Sequence, residues 1–262
     1  MLVHVDAEEN LRCTLTDKGK DITEMAEIFD DWPEKYDQWF ETPLGRLIKK
    51  YESDLVLETL KAEQNERILD AGCGTGVFTL DLVAAGAQIV GLELSLPMLL
   101  QAGKKLEGHF FHMVRGDMGK LPFADNAFDK TVSVTAIEFI VDATTATGEM
   151  FRVTKPGGFI VVATLNSLSP WAAHRKAKAK EGHSIFEHAL FRSPNELLNL
   201  SPVDGVVKTA IHFQKDDDPK EAENIEKNGQ AQGLETGAFA VVRWEKPHSL
   251  KSYQNSPPKP RP

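Results

Sequence analysis

The apolar positions of this chain change rhythm near residue 65, and that change organises everything around it. Across 21–61 the spacing is helical. Ile28, Trp32, Tyr36, Trp39 and Phe40 recur at intervals of three and four, and Pro33 suits a helix start. A second helical run over 44–60 carries Leu47, Ile48, Tyr51, Leu55 and Leu57 on its apolar positions. Beyond it, short apolar runs alternate with amphipathic segments. The stretches 67–71, 88–92, 110–115, 128–134 and 159–164 read as strands, and 77–85, 97–106 and 142–153 as helices between them. Gly86 closes the first of these helices, and Ala124-Asp125-Asn126 and Pro156-Gly157-Gly158 are turns. Strands and helices alternating at this spacing predict an α/β fold. Its sheet should be doubly wound, Rossmann-like and mostly parallel, with helices on both faces.

The remaining segments fill in the organisation. Residues 167–200 read as helical in two pieces broken at Gly182, and 206–213 and 238–244 as two late strands that finish the sheet, one of them antiparallel. The highly charged 216–237 reads as a solvated loop or an exposed helix. The stretch 247–262 holds five prolines and almost no apolar residues, which predicts disorder, and 1–20 shows no period and predicts a loose start. One domain over 21–246 follows, with a helical cover at 21–64 and a lid at 165–205.

Composition narrows the function classes. The 262 residues carry a formal net charge of −9, which disfavours broad nucleic-acid binding. No apolar run reaches the roughly 18 residues that a membrane span needs. The first ten residues carry acids and a histidine, unlike a secretory signal. Cys13 and Cys73 are expected to be free thiols in a reducing, cytoplasmic setting. The histidines and cysteines fit no compact metal motif, so no metal is expected.

The chemistry concentrates in Ile68-Leu69-Asp70-Ala71-Gly72-Cys73-Gly74-Thr75-Gly76, a buried strand running into a glycine-rich turn that opens a helix. Ligands bind at this carboxyl edge of open α/β sheets, and N–H groups at the helix start favour an anionic group. The glycines fall as G-x-G-x-G. Val77 occupies the place of the third glycine of the dinucleotide fingerprint, and no Lys-Ser/Thr pair follows Gly76 as a phosphate loop requires. Glu93 lies at the end of the second strand, where an acid accepts hydrogen bonds from ribose hydroxyls. Taken singly, the glycines also fit a plain tight turn, Glu93 a solvated strand end, and Asp117 a turn residue.

These residues, with Gly116-Asp117-Met118, Leu121-Pro122-Phe123 and Lys155-Pro156-Gly157-Gly158, resemble the class I S-adenosylmethionine-dependent methyltransferases. The order of the motifs is similar to the ubiquinone/menaquinone-biosynthesis-like branch. The resemblance spans roughly residues 36–164 and implies a seven-stranded sheet of the methyltransferase type. It implies S-adenosylmethionine as cofactor and S-adenosylhomocysteine as product. Gly72, Gly74 and Gly76 would floor the methionine part, Glu93 would hold the ribose, and Leu94 and Met98 would lie against adenine and ribose. Asp117 and Met118 would bind the adenine edge. Thr135 and Ala136 would border the methionine amino group, and Tyr36 would cover the methyl-donor end.

The acceptor implied is a small molecule. A general base is needed only where the acceptor arrives protonated. Tyr36, Glu138 and His183 are the candidate catalytic groups, with His174 and His188 as further histidines of the lid. Glu138 also fits a helix-start acid on the surface, and Arg175-Lys176-Ala177-Lys178-Ala179-Lys180 fits a solvated helix face. Trp171, Phe186 and Phe191 could line an apolar acceptor pocket or simply pack beneath the lid. Two rival functions stand beside methyl transfer: an S-adenosylmethionine-binding protein without turnover, and an NAD-dependent oxidoreductase.

Overall fold

The computed structural model describes residues 27–180, 185–218 and 220–248. The expected loose start and almost all of the proline-rich stretch lie outside them. Two helices lead: α1 (Pro33–Glu41) and α2 (Pro43–Leu60). Both begin on a proline, whose missing N–H costs nothing in a first turn, and the Thr42 hydroxyl caps α2 by accepting from the Gly45 N–H at 3.0 Å. Then come β1 (Arg67–Ala71), α3 (Thr79–Ala84), β2 (Gln88–Glu93), α4 (Leu96–Lys105), β3 (Phe111–Arg115), β4 (Lys130–Val134), α5 (Ala143–Val153) and β5 (Phe159–Leu165). The later part holds α6 (Pro170–Lys180), a 3₁₀ turn at Ile185–His188, α7 (Pro194–Leu198), β6 (Gly205–Ala210), α8 (Ala222–Ala231) and β7 (Phe239–Glu245).

The strands form one seven-stranded sheet in the order β3-β2-β1-β4-β5-β7-β6. β1 through β5 pair in parallel, and β7 runs antiparallel between β5 and β6. The expectation of two late strands, one antiparallel, holds. The sheet reverses direction beside β1, which has β2 on one side and β4 on the other, and an α/β sheet opens a ligand crevice at such a point.

Successive side chains of a strand point to opposite faces, so the sheet builds two cores. Ile68, Ile89, Val132, Val161 and Val241 join Ile48, Leu55 and Leu60 of α2 on one face. Leu69, Val90, Val162 and Val242 join Met150 and Phe151 of α5 on the other, with Phe128 and Trp244 fully buried among them.

Several boundaries differ from the sequence pattern for local reasons. α3 starts at Thr79 rather than Val77, because Gly74 (φ 53°) and Gly76 (φ 77°) prolong the left-handed turn. β4 starts at Lys130, and Phe128 instead bridges Thr154. β6 ends at Ala210 where Ile211 turns to φ 68°. The charged stretch 216–237 contains α8, and this helix is not wholly exposed. Its Glu226 is 2% exposed and accepts from the His212 backbone N–H at 2.8 Å, with His212 Nδ1 at 3.2 Å.

Candidate active site

The carboxyl ends of β1, β2 and β4, the loop after β3 and the inner side of α1 enclose a cavity of about 450 Å³. Its floor is the glycine turn. The Gly72 and Cys73 N–H groups both donate to the Leu92 carbonyl, at 2.7 and 3.0 Å, which fastens the turn to the end of β2. Beneath it, Asp70 accepts from the Thr79 hydroxyl at 2.7 Å, and burial pushes its carboxyl up to about 6. Gly72 has φ 79°, and a Cβ there would stand 2.5 Å from the Ala136 Cβ. No side chain fits between the turn and the end of β4. Gly72→Ala is therefore expected to lower stability by about 2 kcal/mol, from the left-handed backbone and the overlap together. Urea unfolding measures this, and an unchanged midpoint would show that the two segments part easily.

Gly74 also lies on the cavity wall. Gly76 does not. A Cβ on it would meet Leu106 at 3.0 Å and Ala102 at 3.2 Å, so Gly76 serves the close approach of α4 rather than the cavity floor. This corrects the sequence expectation for that residue.

Glu93 ends β2 at the rim of the turn. Its Oε2 accepts from the Gly74 N–H at 3.0 Å, and its Oε1 from the Leu94 and Ser95 N–H groups at 2.8 and 2.9 Å. Burial raises the carboxyl and these three N–H groups oppose it. A carboxylate has about four lone-pair directions, so a place on Oε2 remains for a further donor. Leu94 and Met98 flank Glu93 on the wall. Asp117 and Met118 follow β3, and the Gly119 N–H holds the Asp117 carboxylate at 2.7 Å.

Thr135 and Ala136 stand at the end of β4. Thr135 takes φ 49°, unusual for a β-branched residue, and its N–H donates to the Ala163 carbonyl at 2.9 Å. The Tyr36 hydroxyl reaches across from α1 to the Thr135 Oγ1 at 3.4 Å, and burial holds this phenol far above its ordinary pKa. Asp37, next on α1, pins the cover. It accepts from the Thr75 hydroxyl at 2.6 Å, Lys105 Nζ at 2.7 Å and Gln101 Nε2 at 3.2 Å. Thus every cofactor residue named from the sequence except Gly76 borders one cavity.

The same cavity extends past Thr135 into a second half lined by Glu52, Glu138, Leu165, Trp171, Arg175 and Phe186. Glu138 is fully buried, which overturns its reading as a surface acid. The Thr164 hydroxyl donates to its Oε2 at 3.0 Å, and burial lifts the carboxyl to about 7. Glu52 of α2 is 4% exposed, and burial pushes it up to about 8 against the pull of Arg175. The basic run is not uniformly a solvated face either. Lys176, Lys178 and Lys180 are exposed, whereas Arg175 turns inward, 5.5 Å from the Trp171 ring centroid and 5.6 Å from that of Phe186. His174 lines the cavity, His188 does not, and His183 lies outside the described residues.

Sequence reasoning missed Glu52 and the inward turn of Arg175. A signal existed for the first: Glu52 sits four residues after Ile48, on the buried side of α2.

Residues 69–162 match the family described as a methyltransferase domain. The match runs from β1 to β5, and this segment is similar to methyltransferase domains. The chain is 34% identical over 156 residues to a demethylmenaquinone methyltransferase of Beutenbergia cavernae, covering 58% of this chain and 62% of that protein. It is 35% identical over 132 residues to a malonyl-[acyl-carrier protein] O-methyltransferase of Erwinia billingiae, covering 47% and 52%. The chain thus spans less than two thirds of the length of these methyltransferases. A solved S-adenosylmethionine-dependent methyltransferase of Thermotoga maritima shares the methyltransferase fold, with a TM-score of 0.63 and 24% identity over 84% of this chain and 99% of that one. No helix among the described residues is long and apolar enough to cross a membrane.

Proposed function

We propose that this chain transfers a methyl group from S-adenosylmethionine to a small molecule held in the second half of the cavity. One observation carries the reading. The half bordered by the glycine turn, Glu93 and Asp117 is continuous, past Tyr36 and Thr135, with a half that holds buried acids and an arginine. The residues fit the cofactor in chemistry: a glycine turn free of side chains for its amino-acid end, an acid for a diol, and a polar edge beside apolar Met98 for a purine. Bound there, S-adenosylmethionine supplies an electrophilic methyl group on a sulfonium.

The chain's own contribution is then binding, alignment and exclusion of water. Glu93 accepts from the ribose and Asp117 from the adenine amino group. Asp37 and its three partners hold α1 over the site, and Tyr36 closes the passage between the halves. We assign α6 and the 3₁₀ turn that follows the undescribed 181–184 to the lid of the acceptor half. Val77, in place of a third fingerprint glycine, argues against a dinucleotide. Cys73 is a buried free thiol, raised by burial and packed against Gly91.

Incubating the chain with S-adenosylmethionine and a panel of hydroxyl, amine, thiol and carbon acceptors should release S-adenosylhomocysteine with at least one of them. Firm cofactor binding with no release from any would support a binding protein without turnover instead. Tyr36→Phe is expected to slow turnover about 10-fold by loosening alignment at the passage, with little change in melting temperature. A fully active variant would reduce Tyr36 to a packing residue.

A further inference from the structure

The acceptor half holds two buried polar atoms with no hydrogen-bond partner, Oε1 of Glu138 and Nη1 of Arg175. Both residues line the cavity. The first is an acceptor wanting a donor, and the second is a donor wanting an acceptor. Buried polar groups are almost always paired, and a ligand is one way to pair them. Thr164 fixes the other oxygen of Glu138, and the rings of Trp171 and Phe186 hold the guanidinium between them. Neither group can readily turn away to find water.

Charge supplies a second, separate observation. The chain is strongly acidic overall, yet Lys35, Arg175, Lys178 and Lys215 all border this cavity. None of the four forms a salt bridge with a described residue. Three are exposed lysines, and only Arg175 is turned in. The acids facing them in this half, Glu52 and Glu138, are held toward their neutral forms by burial, so such a collar draws anions toward the site and repels amines. The aromatic residues between the charges, Trp171 and Phe186 among them, call for an apolar body.

Resting on the methyltransferase reading, we propose that the acceptor is an organic anion that carries a hydroxyl beside a carboxylate. Arg175 Nη1 binds the carboxylate and Glu138 Oε1 receives the hydroxyl that is methylated. In the reaction the acceptor's O–H bond breaks as its oxygen bonds to the methyl carbon. The proton passes to Glu138, and the bonding pair of the broken carbon–sulfur bond stays on sulfur.

Titration calorimetry on the full chain tests this with a matched set of probes. S-adenosylhomocysteine is titrated first, and then, at saturation, phenyllactate, 3-phenylpropanoate, 1-phenylpropan-2-ol and phenethylamine. Phenyllactate should bind about 10-fold more tightly than the alcohol lacking the carboxylate, and several-fold more tightly than the acid lacking the hydroxyl. Arg175→Met should erase the first advantage, with Arg175→Lys keeping part of it, and Glu138→Leu, which leaves no acceptor there, should erase the second. S-adenosylhomocysteine affinity should stay within about 2-fold in all three variants. Equal binding of the four probes, or tightest binding of the amine, overturns the proposal while leaving the methyltransferase reading intact. Failure of S-adenosylhomocysteine itself to bind the folded wild-type chain removes that reading, and the proposal with it.

Discussion

Glu93→Ala is expected to weaken S-adenosylmethionine binding about 100-fold, the largest single-residue effect on the cofactor half. Two losses combine. The carboxylate no longer accepts from the ribose, and the N–H groups of Gly74, Leu94 and Ser95 lose the acceptor that now draws them together. The glycine turn and the start of α4 are therefore less well held before any ligand arrives. Stability should fall by about 1 kcal/mol, far less than would unfold the domain. Glu93→Gln separates the two losses, since an amide oxygen still accepts from the turn. It should bind with intermediate affinity. An affinity within 2-fold of wild type for both variants would mean that Glu93 ties the loop and never meets the ribose.

The second large effect concerns pH. Burial holds the Glu52 carboxyl protonated up to about 8, against an ordinary value of 4.5. Between those values the native state keeps a proton that the unfolded chain has released. The stability gained is complete below the unfolded value and is lost as pH rises through the folded one. Glu138, lifted to about 7, acts in the same direction. The wild-type chain should thus become less stable from near pH 5 to near pH 9. Glu52→Gln removes that residue's share. Relative to wild type, the variant should gain roughly 2–4 kcal/mol at the alkaline end compared with the acid end. Denaturant melts across the range measure it. Parallel stability curves for the two proteins would show that Glu52 is solvated and carries its charge at neutral pH.

Much of the fold was legible because its signals are local. The short apolar runs at 67–71, 88–92 and 159–164 mark strands buried on both faces, and glycine, proline and asparagine mark the turns between them. The cofactor half was legible for a related reason. It is built from residues at strand ends, whose place in the fold follows from the order of strands and helices. What escaped depends on contacts between distant segments. Gly76 looks like its neighbours in sequence, and only the approach of Leu106 and Ala102 from α4 separates its task from that of Gly72. Glu138 reads as a surface acid until the chain after β5 folds over it, where the Leu190 N–H meets its backbone carbonyl. Arg175 is one of four basic residues in a six-residue run, and nothing local says which one turns inward. The placing of β7 between β5 and β6 is likewise a matter of long-range pairing.

The central claim is that the cavity under α1 takes S-adenosylmethionine, and titration calorimetry of the folded chain tests it most directly. S-adenosylmethionine and S-adenosylhomocysteine should both bind with Kd on the order of micromolar, and NAD should not displace them. NAD binding in their place, or no binding of either sulfur compound by a chain that melts cooperatively, would contradict the account.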